Sequence, residues 1–147
     1  MSNTEQNEIL AFIAKDPYAK LLGAEIEIPA PGHSRVTVTV TEAMTNFHGI
    51  THGGLVFSLG DIAFAAASNS RGQTAVALNV DIAFLKASKP GDRLVAEAIE
   101  QHQSGRTALY DISVKDQEGN LVAKSQNLVY RKNAWFAGTP EENRSEQ

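Results

Sequence analysis

The fold of this chain is decided by residues 46–72, whose sequence is NFHGITHGGLVFSLGDIAFAAASNSRG. They begin with a glycine-rich turn over residues 48–54 and continue into sixteen residues made mostly of Leu, Val, Phe, Ile and Ala. A helix that is apolar nearly all round is typical of a protein interior, and this one is shorter than the ~20 apolar residues that span a bilayer. The stretch therefore predicts one buried central helix in a chain without a membrane segment.

One ionisable residue, Asp61, lies inside this apolar run. Burial disfavours the charged form of a carboxyl group, so a buried aspartate persists where it is paired, hydrogen-bonded or beside a water-filled pocket. Gly53 and Gly54 leave the backbone N–H groups at the helix entry unshielded, where the helix dipole is positive. Such amides can stabilise negative charge on a carbonyl oxygen. The combination indicates acyl transfer, with a locally paired Asp61 and simple turn glycines as the structural alternatives.

Gly53 and Asp61 are too far apart on one helix to act on the same carbonyl group. Eight residues separate them, which is about 12 Å along a helix axis. Each group must come within about 3 Å of the reacting atoms, so both can act only if they come from different copies of the helix. We therefore predict a homodimer with two composite sites, each combining the helix N-terminus of one subunit with Asp61 of the other.

Length and composition are those of one globular domain. The chain has 147 residues, 42% of them hydrophobic, and a formal net charge of -4, which does not favour nucleic-acid binding. It has no cysteine, so disulfides and thiolate chemistry are excluded. The N-terminus has no signal-peptide pattern, and we expect a cytoplasmic protein that binds neither nucleic acid nor membrane. We predict a single domain over residues 1–135 and a polar tail over residues 136–147.

The remaining segments predict short helices followed by antiparallel strands. Residues 5–22 are two amphipathic helical pieces interrupted by Pro17, which would serve as a lid or a packing segment. Residues that alternate with period two predict strands, at 24–29 and 35–41 as a hairpin, then at 74–85, 92–103, 108–115 and 121–131. The strand at 74–85 is long enough to be central or at an interface.

Two breaks in the pattern complete the prediction of the fold. Gly72 is expected to stop the central helix, and the strand pattern is lost from Asn133 onward. Strands that follow one another without intervening helices form an antiparallel sheet. We therefore predict an α+β protein in which a curled antiparallel sheet of five to six strands wraps around one long central helix.

Two motifs connect the chain to a known family. The motif N-x-H-G-x-x-H-G-G at residues 46–54 is followed by an aspartate eight residues beyond Gly53, and F-L-K occurs at residues 84–86. These features resemble the hotdog-fold acyl-CoA thioesterases, in particular their PaaI, or phenylacetate-degradation, branch. The resemblance covers roughly residues 21–131. It implies homodimers that pair into tetramers as dimers of dimers, with acyl-CoA sites at the dimer seam.

The resemblance also implies roles for the residues of the motif. Asp61 matches the catalytic carboxylate, which acts as general base toward water or as nucleophile toward the thioester carbonyl. Gly53 matches the residue whose backbone N–H polarises that carbonyl. Asn46 and His52 match loop residues that orient the thioester and water or support the turn, and His48 belongs to the same motif.

Further residues are candidates for binding the substrate. The candidates are His48, Gly54, Phe64, Ser68, Asn79, Lys86 and Arg106. Phe64 and Ser68 would shape the acyl pocket, and Asn79 would face the second active site. The resemblance places Lys86 where the family often has Arg followed by Pro. Ala87 follows Lys86 here, so the sequence departs from the family pattern at the residue expected to contact the CoA phosphates. Arg106 is a second cation that could meet those phosphates.

These expectations define a leading function and two alternatives. The leading one is an acyl-CoA thioesterase that hydrolyses an aryl- or medium-chain acyl-CoA, such as a phenylacetyl-CoA type of substrate, to the free acid and CoA. It needs no metal or other cofactor, because coenzyme A is part of the substrate. The alternatives are a hotdog (R)-hydratase or dehydratase, which would pair His52 with Asp61, and a non-catalytic acyl-CoA-binding protein.

Two other kinds of site are disfavoured by the same motif. His48 and His52 are four residues apart, as zinc ligands often are, but no glutamate lies between them and no further ligand clusters with them. The HGG sequence also occurs in the oxyanion loop of α/β-hydrolases, but the chain has no G-x-S-x-G nucleophile elbow. The sequence therefore predicts no metal site and no serine hydrolase.

Overall fold

The computed structural model describes residues 1–137, which contain three α-helices and six β-strands. In chain order these are α1 (Asn3–Ile13), α2 (Pro17–Leu22), β1 (Glu25–Ala30), β2 (His33–Thr39), α3 (Gly53–Ser68), β3 (Gln73–Phe84), β4 (Arg93–Ser104), β5 (Thr107–Lys115) and β6 (Leu121–Trp135). A short 3-10 turn, Glu42–Met44, precedes α3. Across this part of the chain, every helix is too short or too polar to cross a membrane.

The six strands form one antiparallel sheet in the order β1-β2-β4-β5-β6-β3. Helix α3 packs against every one of them, so the sheet curls around the helix and the core lies between the two. The predicted α+β architecture, with a sheet wrapped around one central helix and β1 and β2 as a hairpin, is confirmed.

The core follows from the period-two alternation of the strands, because alternate side chains point to the same face of a sheet. On β5 the alternate residues Ala108, Tyr110, Ile112 and Val114 are buried. The ring of Tyr110 meets Phe64 of α3 edge to face, with centroids 5.5 Å apart. The fully buried Ser34 of β2 donates its hydroxyl hydrogen to the carbonyl oxygen of Ala63 at 2.5 Å, which fastens the helix to the sheet.

One face of α3 is open to solvent in the single chain, contrary to the prediction of a helix buried all round. Exposed or half-exposed positions recur along this face at helical spacing, at Gly54, Phe57, Ser58, Asp61 and Ala65, and the end residues Gly53 and Ser68 are not buried either. The sheet can cover only one side of a helix, and the opposite side needs another element to be buried. Phe57 and Ala65 are the apolar residues of this stripe, which also carries the polar Ser58 and Asp61.

Three other expectations about the elements are corrected. Strand β3 is an edge strand, so of its two predicted positions, central or at an interface, the central one is wrong. Helix α3 ends at Ser68, where Asn69 caps it by donating from Nδ2 to the carbonyl oxygen of Ala65 at 2.9 Å, so Gly72 belongs to the turn that follows. Strand β6 continues through Trp135, beyond the predicted loss of pattern at Asn133. Of the predicted tail over residues 136–147, residues 138–147 lie outside the described residues.

A largely buried carboxylate fastens the segment after α3 to the sheet. Glu100 Oε2 accepts hydrogen bonds from Arg71 Nη1 at 2.7 Å, from Gln103 Nε2 at 2.9 Å and from the Tyr110 hydroxyl at 2.9 Å. Burial raises the pKa of Glu100, but the hydrogen bonds from Arg71 and Gln103 lower it by more, so the pKa lies below its ordinary value. The ionised form of Glu100 is therefore part of the folded structure.

Replacing Glu100 with Gln should destabilise the fold by about 2 kcal/mol, because Arg71 would remain partly buried without its counter-ion. A carboxyl group whose folded-state pKa is lowered stabilises the fold above its unfolded pKa, and this contribution is lost as the pH falls through the folded pKa. Chemical denaturation at about pH 7 and about pH 3 measures the effect. The difference between wild type and variant should shrink at the lower pH.

Glu97→Gln is the matched control, because Glu97 lies on the same strand and pairs with the more exposed Arg35 at 2.8 Å. An ion pair of that kind contributes less than about 1 kcal/mol. Equal losses of unfolding free energy in the two variants would contradict a special role for Glu100.

Candidate active site

His52 caps the N-terminus of α3. Its Nδ1 atom accepts a hydrogen bond from the Gly54 N–H at 2.8 Å, so Nδ1 carries no proton and the neutral ring is protonated on Nε2. A side chain at position 54 would place its Cβ 3.0 Å from Nδ1, which is too close for this cap. Gly54 therefore makes room for the ring, and its N–H is committed to His52, which leaves no donor for the predicted contact of Gly54 with substrate.

Gly53 presents the free backbone donor at this helix end. It is the first residue of α3, and its N–H makes no hydrogen bond within residues 1–137. A Cβ at this position would meet only the ring of Phe84, at an ordinary distance of 3.7 Å, so the turn itself does not require glycine. Gly53 is exposed at the helix end where the dipole is positive, as an oxyanion donor requires.

The loop before α3 is fixed by hydrogen bonds to its neighbours. Thr51 N–H donates to the carbonyl oxygen of Ser88 at 2.9 Å, and the Ser88 hydroxyl donates to Thr51 Oγ1 at 2.7 Å in a buried contact. His52 N–H donates to the carbonyl oxygen of Met44 at 2.8 Å. These contacts hold the helix N-terminus in a defined position relative to the sheet.

Asn46 lies beside Gly53, and the NH2 group of its side chain is without a partner among the described residues. Its Oδ1 atom accepts from the His48 N–H at 2.9 Å, whereas its Nδ2 group has no partner in the described part of the chain. Both Asn46 and Gly53 line a cavity of about 350 Å³. His48 is exposed and lies against the ring of Phe47, with centroids 4.3 Å apart, and Phe47 itself is 93% exposed. The loop therefore brings Asn46, His52 and Gly53 together, and His48 points outward.

Asp61 lies two turns beyond, on the exposed stripe of α3, and makes no hydrogen bond within residues 1–137. Burial by the surrounding protein raises the pKa of Asp61, and the nearby Asp16 carboxylate raises it further. Beside it, the Tyr18 hydroxyl and Ser58 Oγ are 2.9 Å apart. Asp61 is thus a solvent-accessible carboxylate without a partner, and local pairing does not explain it.

The structure keeps Asp61 away from the Gly53 donor of its own chain. Helix α3 is continuous from Gly53 to Ser68, so the rise of a regular helix places the two residues about 12 Å apart. The groups that the motif combines therefore do not meet within one chain.

The two predicted phosphate-binding cations lie at opposite ends of the sheet. Lys86 follows β3 near the Gly53 end and donates to Asp116 at 2.9 Å. That hydrogen bond is the main reason why the pKa of Asp116 falls to about 2, so much of the Lys86 charge is already balanced. Arg106 lies in the turn between β4 and β5, where its carbonyl oxygen accepts from Arg131 N–H at 2.7 Å. One chain cannot direct both cations at the same phosphate.

Three further candidates, Phe64, Ser68 and Asn79, differ in how exposed they are. Phe64 is 2% exposed and packs into the core on the sheet side of α3, so its predicted contact with the substrate is corrected to a core contact. Ser68 is half-buried at the end of α3 and donates to the carbonyl oxygen of Ala65 at 3.3 Å. Asn79 is exposed beside a bulge on the edge strand β3, on the face of the molecule that a partner could reach.

A large apolar cavity lies along the C-terminal half of α3. It has a volume of about 530 Å³. Its walls come from the N-terminal helices, from α3 and from the ends of the sheet, and they include Phe12, Asp16, Ile62, Ala65, Thr74 and Phe136. Phe12 is 57% exposed and borders this cavity.

No three His, Asp or Glu side chains within residues 1–137 lie close enough together to hold a metal ion. His52 is committed to the helix cap and His48 lies beside Phe47.

Asp16 and Ser88 contribute to the site but were not singled out from the sequence. Asp16 directly precedes Pro17, and an aspartate followed by proline is a typical start of a helix. The sequence therefore indicates Asp16 as a helix start, but its proximity to Asp61 depends on how α2 packs on α3. Ser88 had no local signal, because its contact with Thr51 joins segments 37 residues apart.

The sequence profile of the Thioesterase superfamily matches residues 48–123. The acyl-coenzyme A thioesterase PaaI of Escherichia coli is 40% identical over 131 residues, which are 89% of this chain and 94% of that protein. The residues that the profile matches contain most of the motif loop, α3 and strands β3 to β5.

Solved structures agree with this relationship. The Escherichia coli PaaI protein from the phenylacetic acid degradation operon has a TM-score of 0.85 at 37% identity, with 90% of this chain and 96% of that chain covered. A hypothetical thioesterase from Streptococcus pneumoniae, solved with coenzyme A, has a TM-score of 0.71 at 33% identity, with 74% and 88% covered. The chain has the hotdog thioesterase fold and belongs to the thioesterase superfamily.

Proposed function

We propose that this protein is an acyl-CoA thioesterase that hydrolyses an aryl- or medium-chain acyl-CoA, of the phenylacetyl-CoA type, to the free acid and coenzyme A. The observation that carries the proposal is the unpartnered Gly53 N–H at the N-terminus of the same helix that presents the unpaired Asp61. The proposal is supported by 40% identity to the acyl-coenzyme A thioesterase of Escherichia coli and by the relative solved with coenzyme A.

The active unit in this proposal is a homodimer. A thioester carbonyl that accepts from Gly53 of one subunit can reach Asp61 only if that aspartate belongs to the partner subunit, because the two groups are about 12 Å apart on one helix. A twofold arrangement gives two such sites per dimer. Pairing of two dimers into a tetramer remains a prediction, as do cytoplasmic residence and a role in phenylacetate degradation.

Two exposed surfaces support the dimer. Strand β3 is an unpaired sheet edge with the exposed apolar side chains Val76, Leu78 and Phe84, and such an edge is a template for pairing with another chain. On α3, the residue midway between positions 53 and 61 is Phe57, which is 39% exposed. If each Gly53 faces the partner's Asp61 across antiparallel helices, the twofold axis passes at Phe57, and the two Phe57 rings cover each other.

The chemistry needs only water and the side chains of the composite site. Asp61 either removes a proton from water as it attacks the carbonyl carbon, or attacks that carbon itself to give an anhydride that water then hydrolyses. In both routes the carbonyl oxygen becomes an oxyanion that the Gly53 N–H of the other subunit stabilises. The C–S bond then breaks, and the coenzyme A thiolate takes up the proton released from water. Asn46 Nδ2 and His52 Nε2–H are the donors that would orient the thioester and the water.

The His52 cap favours hydrolysis over hydration of a double bond. A hydratase would need His52 to accept a proton from water on the substrate side. The Nδ1 lone pair of His52 is occupied by the Gly54 N–H, and the remaining nitrogen carries a proton in the neutral ring. His52 therefore serves as a donor.

Asp61→Asn should reduce kcat by about 10²–10⁴-fold with phenylacetyl-CoA, because the amide can neither accept the water proton nor form the anhydride. Thiol release measured spectrophotometrically gives the rate, and circular dichroism and gel filtration verify the fold and the oligomeric state. Near-wild-type turnover in the variant would remove the proposed mechanism. Tight acyl-CoA binding by a wild-type protein without turnover would favour the non-catalytic alternative.

Gly53→Pro should lower kcat by about 10²–10³-fold, because it deletes the oxyanion donor at a helix position where proline is tolerated. His52 already has the extended backbone, with φ −62° and ψ 135°, that a following proline requires. Gly53→Ala is the matched control, since it adds a Cβ and keeps the N–H. An equal loss of kcat in both variants would mean that the N–H is not the catalytic group.

Mixing the Asp61→Asn and Gly53→Pro proteins should restore activity that neither has alone. After subunit exchange, each heterodimer holds one site with both native groups, so random mixing should recover ~25% of wild-type kcat. Unfolding and refolding of the two proteins together, followed by the thiol assay, measures this recovery. No recovery despite formation of heterodimers would show that the groups act within one subunit or that the assignment is wrong.

Asp16→Asn should shift the acid limb of the kcat/KM profile to lower pH. The reaction needs ionised Asp61, so activity rises as the pH passes the pKa of Asp61, and the Asp16 charge holds that pKa up. Asparagine can still cap α2, which keeps the local structure. Lys15→Gln is a control on the neighbouring residue, which has no resolved effect on Asp61. An unchanged acid limb in Asp16→Asn would show that Asp61 does not control it.

A further inference from the structure

We propose that the apolar cavity between the N-terminal helices and α3 is the acyl pocket of this enzyme, and that Phe12 and Thr74 determine which acyl groups it accepts. This assignment rests on the proposed thioesterase function and identifies the ligand class of the pocket as apolar acyl groups, aryl or alkyl.

The cavity begins directly beside the proposed catalytic carboxylate. Ile62, the residue after Asp61, and Ala65, one turn further along the exposed stripe, both line it. From Ile62 to Asn69 the α3 wall is about 10 Å long, enough for a phenyl ring or a chain of several methylenes. Asp16 lies at the border with α2 and is close enough to Asp61 to raise its pKa. An acyl group whose carbonyl lies at Asp61 would enter the cavity past Ile62 and Ala65.

The walls are mostly hydrocarbon, and two of their polar side chains, Asn69 and Asp16, are already engaged. Asn69 donates from Nδ2 to the carbonyl oxygen of Ala65 at 2.9 Å and accepts at Oδ1 from Ala75 N–H at 2.9 Å. Asp16 Oδ1 caps α2 by accepting from Tyr18 N–H at 2.9 Å. A cavity of about 530 Å³ is within the range of ~300–1,000 Å³ that encloses small ligands. An acetyl group would leave most of it empty.

An aromatic pair borders the cavity where α1 meets the end of the sheet. The ring of Phe12 stacks on Phe136, with centroids 4.7 Å apart and planes 20° apart. Phe12 is 57% exposed, so burial in the core does not account for an aromatic residue there. Aromatic rings favour offset-stacked or edge-to-face partners, and an aryl acyl group in the cavity would supply one.

Thr74 is placed to limit the length of the pocket. It lines the cavity next to Asn69, which is two turns of α3 beyond Asp61. Its hydroxyl has no hydrogen-bond partner within residues 1–137, so a larger apolar side chain at this position would remove no existing bond. Phenylalanine is well tolerated in strands, and it would fill the end of the cavity from β3.

The test measures kcat/KM for acetyl-, octanoyl- and phenylacetyl-CoA in variants that fill or open the cavity. Thr74→Phe should lower kcat/KM for octanoyl- and phenylacetyl-CoA by at least about tenfold and leave acetyl-CoA within about twofold. Phe12→Ala should raise KM for phenylacetyl-CoA by about tenfold without changing inhibition by free coenzyme A. Phe12→Leu distinguishes alkyl from aryl substrates, because this variant should retain kcat/KM for octanoyl-CoA and lower kcat/KM for phenylacetyl-CoA.

Leu21→Ala is the control, because Leu21 lies on α2, is 79% exposed and does not line the cavity. The acyl preference of this variant should equal that of the wild type. Equal losses for all three acyl groups in folded Thr74→Phe protein, or unchanged preferences in both Thr74→Phe and Phe12→Ala, would overturn the assignment. If Thr74→Phe fails to fold, the acyl preference of Phe12→Ala alone tests the assignment. The Phe12 side chain is mostly exposed, so this variant is expected to fold.

A binding measurement that needs no turnover distinguishes failure of the pocket assignment from failure of the proposed thioesterase function. Saturation-transfer NMR with phenylacetate and octanoate should show contact with the wild-type protein that Thr74→Phe abolishes and Leu21→Ala retains. This result would support the pocket even if the wild type hydrolysed no CoA thioester. If the wild type does hydrolyse CoA thioesters but Thr74→Phe leaves the binding of both acids unchanged, the cavity is not the acyl pocket.

Discussion

The structure depends on one constraint, which is that α3 is a rigid helix buried on one side only. The six-stranded sheet covers its apolar face, and the Ser34 hydroxyl fastens the helix at Ala63. The remaining face carries Phe57, Asp61 and Ala65. Because a helix cannot shorten, the oxyanion donor at Gly53 and the carboxylate at Asp61 stay about 12 Å apart in every copy of the chain. In the proposed mechanism, this rigidity prevents one subunit from forming the site and lets two subunits form two identical ones.

At the N-terminus of α3, one backbone N–H group is left without a partner within residues 1–137. A helix leaves its first four N–H groups without helical partners. In this chain the Gly54 N–H is taken by the His52 ring, and the Leu55 and Val56 N–H groups by the His52 carbonyl oxygen. Only the Gly53 N–H is left over. A single free N–H group therefore lies at the positive end of the helix dipole. The buried contact between Thr51 and Ser88 keeps that donor in place.

The two sides of the proposed site have different tasks. The loop at Asn46 and the helix N-terminus supply hydrogen-bond donors for the thioester, whereas the subunit that carries Asp61 supplies the carboxylate and, further along the same helix, the apolar cavity. The N-terminal helices can change the cavity through residues such as Phe12 without disturbing the hydrogen bonds at Gly53.

The sequence by itself determined the central helix, the antiparallel sheet and the separation between Gly53 and Asp61, because these follow from periodicity and helix rise, and it displays the motif at residues 46–54 directly. It also predicted a composite site, since that distance is fixed by local geometry. Only the tertiary structure decided that β3 is an edge, that Phe64 faces the core and that Asp16 lies near Asp61. Those facts depend on which side of α3 each distant segment covers, and no local pattern carries that information. Burial is a property of the whole packing, whereas the spacing of two residues along a helix is a property of the chain.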